Sequence, residues 1–154
     1  VAGGLNPAYF HDEANVEGPV ITISSSGANA GFVRLYNENI WASDCSYINI
    51  DGCDAIYSTY LFLKIHQNNI YASQHGSGQP HVYPDDLNRL KMIIPNKEII
   101  VYFEKLITPF FKRIEINNRN ISILKSLRET LLPKLISGKL SFSNKDALTK
   151  KVEF

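Results

Sequence analysis

The rhythm of apolar positions changes once along this chain, near Pro95. Before that point, short apolar runs are separated by turn residues. Val20-Ile-Thr-Ile23 lies between Gly18-Pro19 and the run Ser24-Ser25-Ser26-Gly27, and reads as a strand. Gly31-Phe-Val-Arg-Leu-Tyr36 reads as a second strand. Asn37-Glu38-Asn39 is then a turn, with residues 40–43 returning as a hairpin partner. Residues 54–66 suit a helix capped by Asp54. Residues 71–83 are loop-like around Gly76-Ser-Gly-Gln-Pro80, and Asp85-Asp86-Leu87 fits a short helical turn. Leu90 to Ile94 reads as a last strand, stopped by Pro95. Strands and helices without regular alternation predict an α+β or irregular α/β domain.

After Pro95 the period becomes helical. Ile100, Phe103, Ile107, Phe110, Ile114, Asn117, Ile121, Leu124, Arg128, Leu131 and Leu135 follow one another at alternating spacings of three and four. All but Asn117 and Arg128 are apolar, which is the seam of a helix packed along another helix. Pro109 interrupts it. A proline inside a helix removes a hydrogen bond and clashes with the preceding turn. The expectation is therefore a helix over about 96–107, a kink or break, and a longer helix over about 109–137, with Thr108 as a candidate N-cap. Pro133 would bend its last turns and Gly138 would end it. So regular a stripe exceeds what a small preceding domain can cover, so its partner helix is expected from elsewhere. The two polar seam positions would fix register, or would simply face solvent as the stripe drifts.

Charge follows the same division. Residues 1–88 hold two basic and nine acidic side chains, a net of −7, whereas residues 89–154 hold fourteen basic and six acidic, a net of +8. Cys45 and Cys53 are too few for a disulfide framework or a zinc site. They read as reduced, partly buried small residues of a cytoplasmic protein. No apolar run is long enough for a bilayer and no secretion signal opens the chain, while the missing initiator Met suggests a processed or truncated chain.

Enzyme signatures are missing. The sequence has no phosphate-binding glycine–lysine loop, no dinucleotide fingerprint and no nucleophile elbow. An acidic–lysine metal cluster and an Asn-Pro-Pro-Tyr-like methylation motif are also lacking. His11, His66, His75 and His81 show no ligand spacing, so no metal site is expected. Two segments are instead rich in adaptable hydrogen-bonding groups. One holds Ser24, Ser25, Ser26 and Asn29, the other Gln74, His75, Ser77, Gln79 and His81. Such side chains can bond base edges in a DNA groove, and Trp41, Tyr71 and Tyr83 could add stacking contacts. Ordinary surface turns also satisfy this composition, since Ser, Gly and Asn favour turns.

Three stretches resemble the target-recognition domain of bacterial type I restriction–modification specificity subunits: Gly18-Pro-Val-Ile-Thr-Ile-Ser-Ser-Ser-Gly-Ala-Asn-Ala-Gly31, Trp41-Ala-Ser-Asp-Cys-Ser46, and Gly76-Ser-Gly-Gln-Pro-His81. Leu124-Lys-Ser-Leu-Arg-Glu-Thr-Leu-Leu-Pro-Lys-Leu-Ile-Ser-Gly138 resembles the end of that family's helical spacer, and more specifically. The run Ile94-Pro-Asn-Lys-Glu-Ile99 departs from the family pattern before the helix.

The resemblance implies an α+β target-recognition domain over 1–95, a long α-helical coiled-coil spacer over 96–140 and a polar tail over 141–154. It implies a half subunit or C-terminal fragment without catalytic activity. Such a unit reads double-stranded DNA through Ser24, Ser25, Ser26, Asn29, Ser43, Gln74, His75, Ser77, Gln79 and His81, and docks on methyltransferase and restriction subunits. Cofactors are expected only in those partners, as S-adenosylmethionine, ATP and Mg. A homodimer through the spacer helix is one arrangement open to it. The acidic first part has few groups for phosphates, so the isolated chain is expected to bind DNA weakly. A coiled-coil docking protein without DNA contact is the alternative.

Overall fold

The computed structural model describes Leu5 and residues 12–140. The expected tail over 141–154 and His11 lie outside these residues.

The first strand, β1 (Val20–Ser24), is buried along its whole length. Its neighbours are β2 (Val33–Tyr36) and β3 (Cys45–Asn49), both antiparallel to it, in the order β2-β1-β3. Ile23 pairs with Val33 on one side and with Ser46 on the other. A strand flanked on both edges and covered on both faces suits a run of β-branched residues. The return strand expected over residues 40–43 does not form. Ile40 forms only an isolated bridge to Val16, because its side chain fills a small second core with Val16, Val20 and Tyr36. The real third strand is β3, which pairs with β1 and not with β2.

Two helices follow, α1 (Ile56–Ile65) and α2 (Gln67–Ala72), then a single turn, α3 (Pro84–Leu87). Ile21, Ile23, Val33, Ile56, Leu63, Ile70 and Val82 form the main core. Gln67 ties the helices to the sheet. Its amide nitrogen donates to Gly31 O at 2.8 Å and its oxygen accepts the Val33 N–H at 3.0 Å. The Lys64 ammonium donates to Val33 O at 3.2 Å and sits 4.8 Å from the Phe32 ring centre, and its partial burial lowers its pKa.

Asp54 does not cap α1. The N-cap position is Ala55, which offers no side-chain acceptor. The acceptor comes from the last helix, α4 (Lys97–Ile136). The Glu104 carboxylate takes the backbone N–H of Ser58 at 2.7 Å, that of Tyr57 at 3.4 Å, and the Ser58 hydroxyl. A carboxylate at a helix N-terminus satisfies orphan donors and meets the positive end of the helix dipole.

The last strand expected over residues 90–94 is likewise absent. These residues pair with no strand, and Ile93 and Ile94 are exposed. They line one side of a groove of about 910 Å³ whose other walls are the start of α1 and the first turns of α4.

The expected break at Pro109 does not occur: α4 is continuous through it, and Asn96 caps its start by accepting the Ile99 N–H at 2.9 Å. The residues flanking Pro109 explain why. Ile107 and Phe111 pack against the main core, and Phe111 stacks on Tyr57 with ring centres 4.6 Å apart. With Glu104, these contacts offset the roughly 3 kcal/mol that an interior proline costs. The chain divides into two units, Val1–Lys112 and Arg113–Phe154. The first turns of α4 thus belong with the sheet, and Ile107, expected on a partner seam, packs against the chain's own core. In the second unit Glu115 and Arg119 form an ion pair one turn apart. Gly138, at φ 69°, ends the helix with its N–H on Leu135 O at 3.1 Å. No residue of α4 is buried.

Candidate nucleic-acid interface

Three segments meet beyond the end of β1. The first is the loop between β1 and β2, which closes on itself: Ala30 N–H donates to Gly27 O, and Phe32 N–H to Asn29 O, each at 2.9 Å. Gly31 sits at φ 83°, where an added Cβ would lie 2.8 Å from the Ile70 Cγ2, so both the turn and the packing require glycine. The second is the glycine loop after α2. Gly27 N–H donates to Pro80 O at 3.0 Å and Val82 N–H to Ser25 O at 3.0 Å, so the two loops run antiparallel against each other. The second loop is pinched at its own base, where His75 and His81 exchange backbone hydrogen bonds of 2.9 and 2.8 Å. The third segment leads into β3. The Asp44 carboxylate accepts the Ser26 hydroxyl, and Asp44 O accepts the Ser25 N–H at 3.3 Å.

Asp86 anchors this assembly from α3. Its buried carboxylate accepts the Tyr83 N–H at 3.1 Å through Oδ2 and faces His75 Nε2 at 3.0 Å through Oδ1. Arg89 lies 3.8 Å from the same Oδ1. The hydrogen bond from His75 holds the Asp86 pKa below the ordinary carboxylate value, helped by the Tyr83 N–H and the charge of Arg89. The rings of His81 and Tyr83 stack at 6.1 Å, and Tyr83 is exposed. Among the described residues no group of three His, Cys, Asp or Glu side chains is placed to hold a metal, and no helix is long and apolar enough to cross a membrane.

A family model for the type I restriction modification DNA specificity domain matches residues 6–126. The chain belongs to this family. One relative is the type I restriction enzyme MjaIX specificity subunit of Methanocaldococcus jannaschii, 34% identical over 84 residues. The match covers 54% of this chain and 19% of that protein. Among solved structures, an S subunit of a type I restriction–modification system from M. genitalium superposes with a TM-score of 0.66 at 24% identity. That match covers 89% of this chain and 37% of the other, and shows a shared α+β fold with a long helix. The chain thus spans well under half the length of either protein.

Within the specificity domain, the residues singled out from sequence separate into two groups. Ser25, Ser26, Asn29, Ser43, His75, Ser77, Gln79 and His81 all lie on the three converging segments, and Ser43, His75, Ser77 and Gln79 are exposed there. Ser24 and Gln74 are placed for support instead. Ser24 is buried and donates its hydroxyl to Ser26 O at 3.2 Å, and the Gln74 amide donates to Ala30 O at 2.7 Å. Asp44 and Asp86 were not among the contact residues expected from sequence. The spacing from His75 to Asp86 is set by the loop between them, so no local pattern announces the pair. On α4 the expected partner seam is largely open. Phe103, Phe110, Ile114, Ile121, Leu124 and Leu131 are exposed, as are Asn117 and Arg128, while Leu135 is half-buried.

Proposed function

We propose that this chain is a DNA sequence-specificity component of a type I restriction–modification system. It reads part of the target site with the loops around Ser25–Asn29, Ser43 and His75–His81, and docks through α4. The observation that carries this reading is the joining of three hydrogen-bond-rich segments at one end of the sheet, in a chain of the DNA specificity domain family. The joined loops expose hydroxyl, amide and imidazole groups suited to base edges. The chain selects sequence and catalyses nothing. S-adenosylmethionine, ATP and Mg serve methyltransferase and restriction subunits that dock on it. The exposed apolar stripe of α4 covers a helix of a partner, either a second specificity unit or a second copy of this chain.

The acidic first part favours a second reading, a docking protein without DNA contact, since residues 1–88 carry two basic against nine acidic groups. The two readings separate in a protection assay. The chain assembled with methyltransferase subunits should direct methylation to one sequence, and exchanging the loop residues should change that sequence. Methylation whose site is indifferent to these loops supports the docking reading and refutes ours. Phosphate contacts come from the partners and the basic second half, so the isolated chain binds DNA weakly. Nanomolar sequence-specific binding by the chain alone would overturn that division of labour.

A further inference from the structure

We propose that His75 reads one base of the target as a hydrogen-bond acceptor through Nδ1, and that Asp86 is the positioning residue that fixes this role. The proposal rests on the DNA-reading function above and names how one contact of that surface is made.

The Oδ2 atom of Asp86 is taken by the Tyr83 N–H at 3.1 Å, and Oδ1 faces His75 Nε2 at 3.0 Å. An ionised carboxylate can only accept, so Nε2 must carry the hydrogen. In the neutral imidazole the other nitrogen then holds a lone pair and no hydrogen. Among the described residues Nδ1 has no hydrogen-bond partner. The His75 side chain is 54% exposed. Its backbone is clamped at both N–H and C=O by His81, and the Tyr83 ring stands 5.8 Å away on one flank. The charged groups at the pair are the Asp86 carboxylate and the Arg89 guanidinium.

This fixation distinguishes His75 from the groups around it. A serine hydroxyl rotates to donate or accept, and an Asn or Gln amide does both. Such groups adapt to several bases. An imidazole whose proton is held on the far nitrogen offers one role only. In the major groove adenine and cytosine present amino donors, whereas guanine and thymine present acceptors at the corresponding positions. A fixed acceptor therefore favours adenine or cytosine on one strand, and disfavours guanine or thymine by setting lone pair against lone pair.

Two measurements test this. The first is a long-range proton–nitrogen NMR spectrum of the wild-type chain. Nε2 should be protonated and Nδ1 unprotonated; a protonated Nδ1 overturns the proposal without any DNA present. The second is selection of bound duplexes from a randomised pool by the chain assembled with methyltransferase subunits. The wild type should prefer adenine or cytosine at one position. His75→Phe should relax that preference by ~5- to 10-fold, as expected for losing one hydrogen bond at a desolvated contact. His75→Gln should keep it, because the Gln amide can donate to Asp86 and still present its oxygen. Asp86→Asn should reverse it: the Tyr83 N–H orients the new amide oxygen, its NH2 group donates to Nε2, and the ring proton moves to Nδ1. A preference unchanged in His75→Phe refutes the base contact while leaving the DNA-reading function intact. A wild-type assembly that enriches no sequence sinks that function and the contact together.

Discussion

Replacing Glu104 is the sharpest test of how the long helix is joined to the sheet domain. In Glu104→Ala two backbone donors in the first turn of α1, from Tyr57 and Ser58, lose their acceptor, and so does the Ser58 hydroxyl. Loss of a helix cap costs about 0.5–2 kcal/mol, and a hydrogen bond to a charged group contributes about 1.5–3 kcal/mol. Glu104 is only partly buried, so water replaces some of this. Alanine also returns a few tenths of a kcal/mol as the better helix former. The net expectation is a loss of about 2 kcal/mol. For a domain of this size that lowers Tm by roughly 4–8 °C. Glu104→Gln keeps an oxygen but loses the charge at the helix N-terminus, and should cost about 1 kcal/mol. The assay is urea unfolding followed by the fluorescence of Trp41, the single tryptophan. Ser58→Ala should add little once Glu104 is gone, since the two share one interaction. A Glu104→Ala midpoint within 0.5 kcal/mol of wild type would refute the cap, as would equal losses in the Ala and Gln variants for the charge.

Two further predictions concern acid stability and association. The Asp86 pKa is held below its ordinary value of 3.8, so its contribution to stability is present above that pH and is lost as the pH falls through and below it. Wild type should therefore lose stability more steeply than Asp86→Asn on acidification below about pH 5, and parallel unfolding curves against pH would contradict this. On α4, Leu124 and Leu131 are 64% and 43% exposed, so truncating both should leave the fold unchanged by circular dichroism. Each Leu→Ala at a covered seam removes about 1–2 kcal/mol of burial, so the double variant should weaken partner binding by roughly 30- to 1000-fold. An unchanged dissociation constant in sedimentation would show that the stripe is not the docking face.

Where a residue's own chemistry decides its place, the sequence was legible. The β-branched run at Val20–Ile23 between turn residues became β1, and the three–four spacing after Pro95 became α4. The loops were legible as composition, because base-reading groups are also turn-forming groups. Structure made at a distance was not. The cap of α1 lies 46 residues away from Ser58, on Glu104, and no window around Asp54 contains it. Contacts from Ile107 and Phe111 carried the helix through Pro109, which local propensity reads as a stop. The strand β3 was missed because its half-exposed Cys-Ser-Tyr-Ile-Asn run has a weak apolar signal and exists only as a partner of β1. The union of the three candidate segments was invisible for a further reason: it is made largely by backbone N–H and C=O groups, which every residue carries.

That union bears on how a new specificity is acquired. The loop after β1 and the glycine loop are stitched at Gly27–Pro80 and Ser25–Val82, and Asp44 holds the first through Ser26. A change in the length of either loop shifts the backbone of the other. Single exchanges of exposed side chains can adjust a contact, but insertions and transplants must carry both loops, with Asp86 beneath them, as one cassette. Recombination that cuts between Gly27 and Pro80 would combine halves that no longer fit. A breakpoint outside residues 24–86 leaves these joins intact, and a designer re-aiming the proposed reading surface inherits the same unit of exchange.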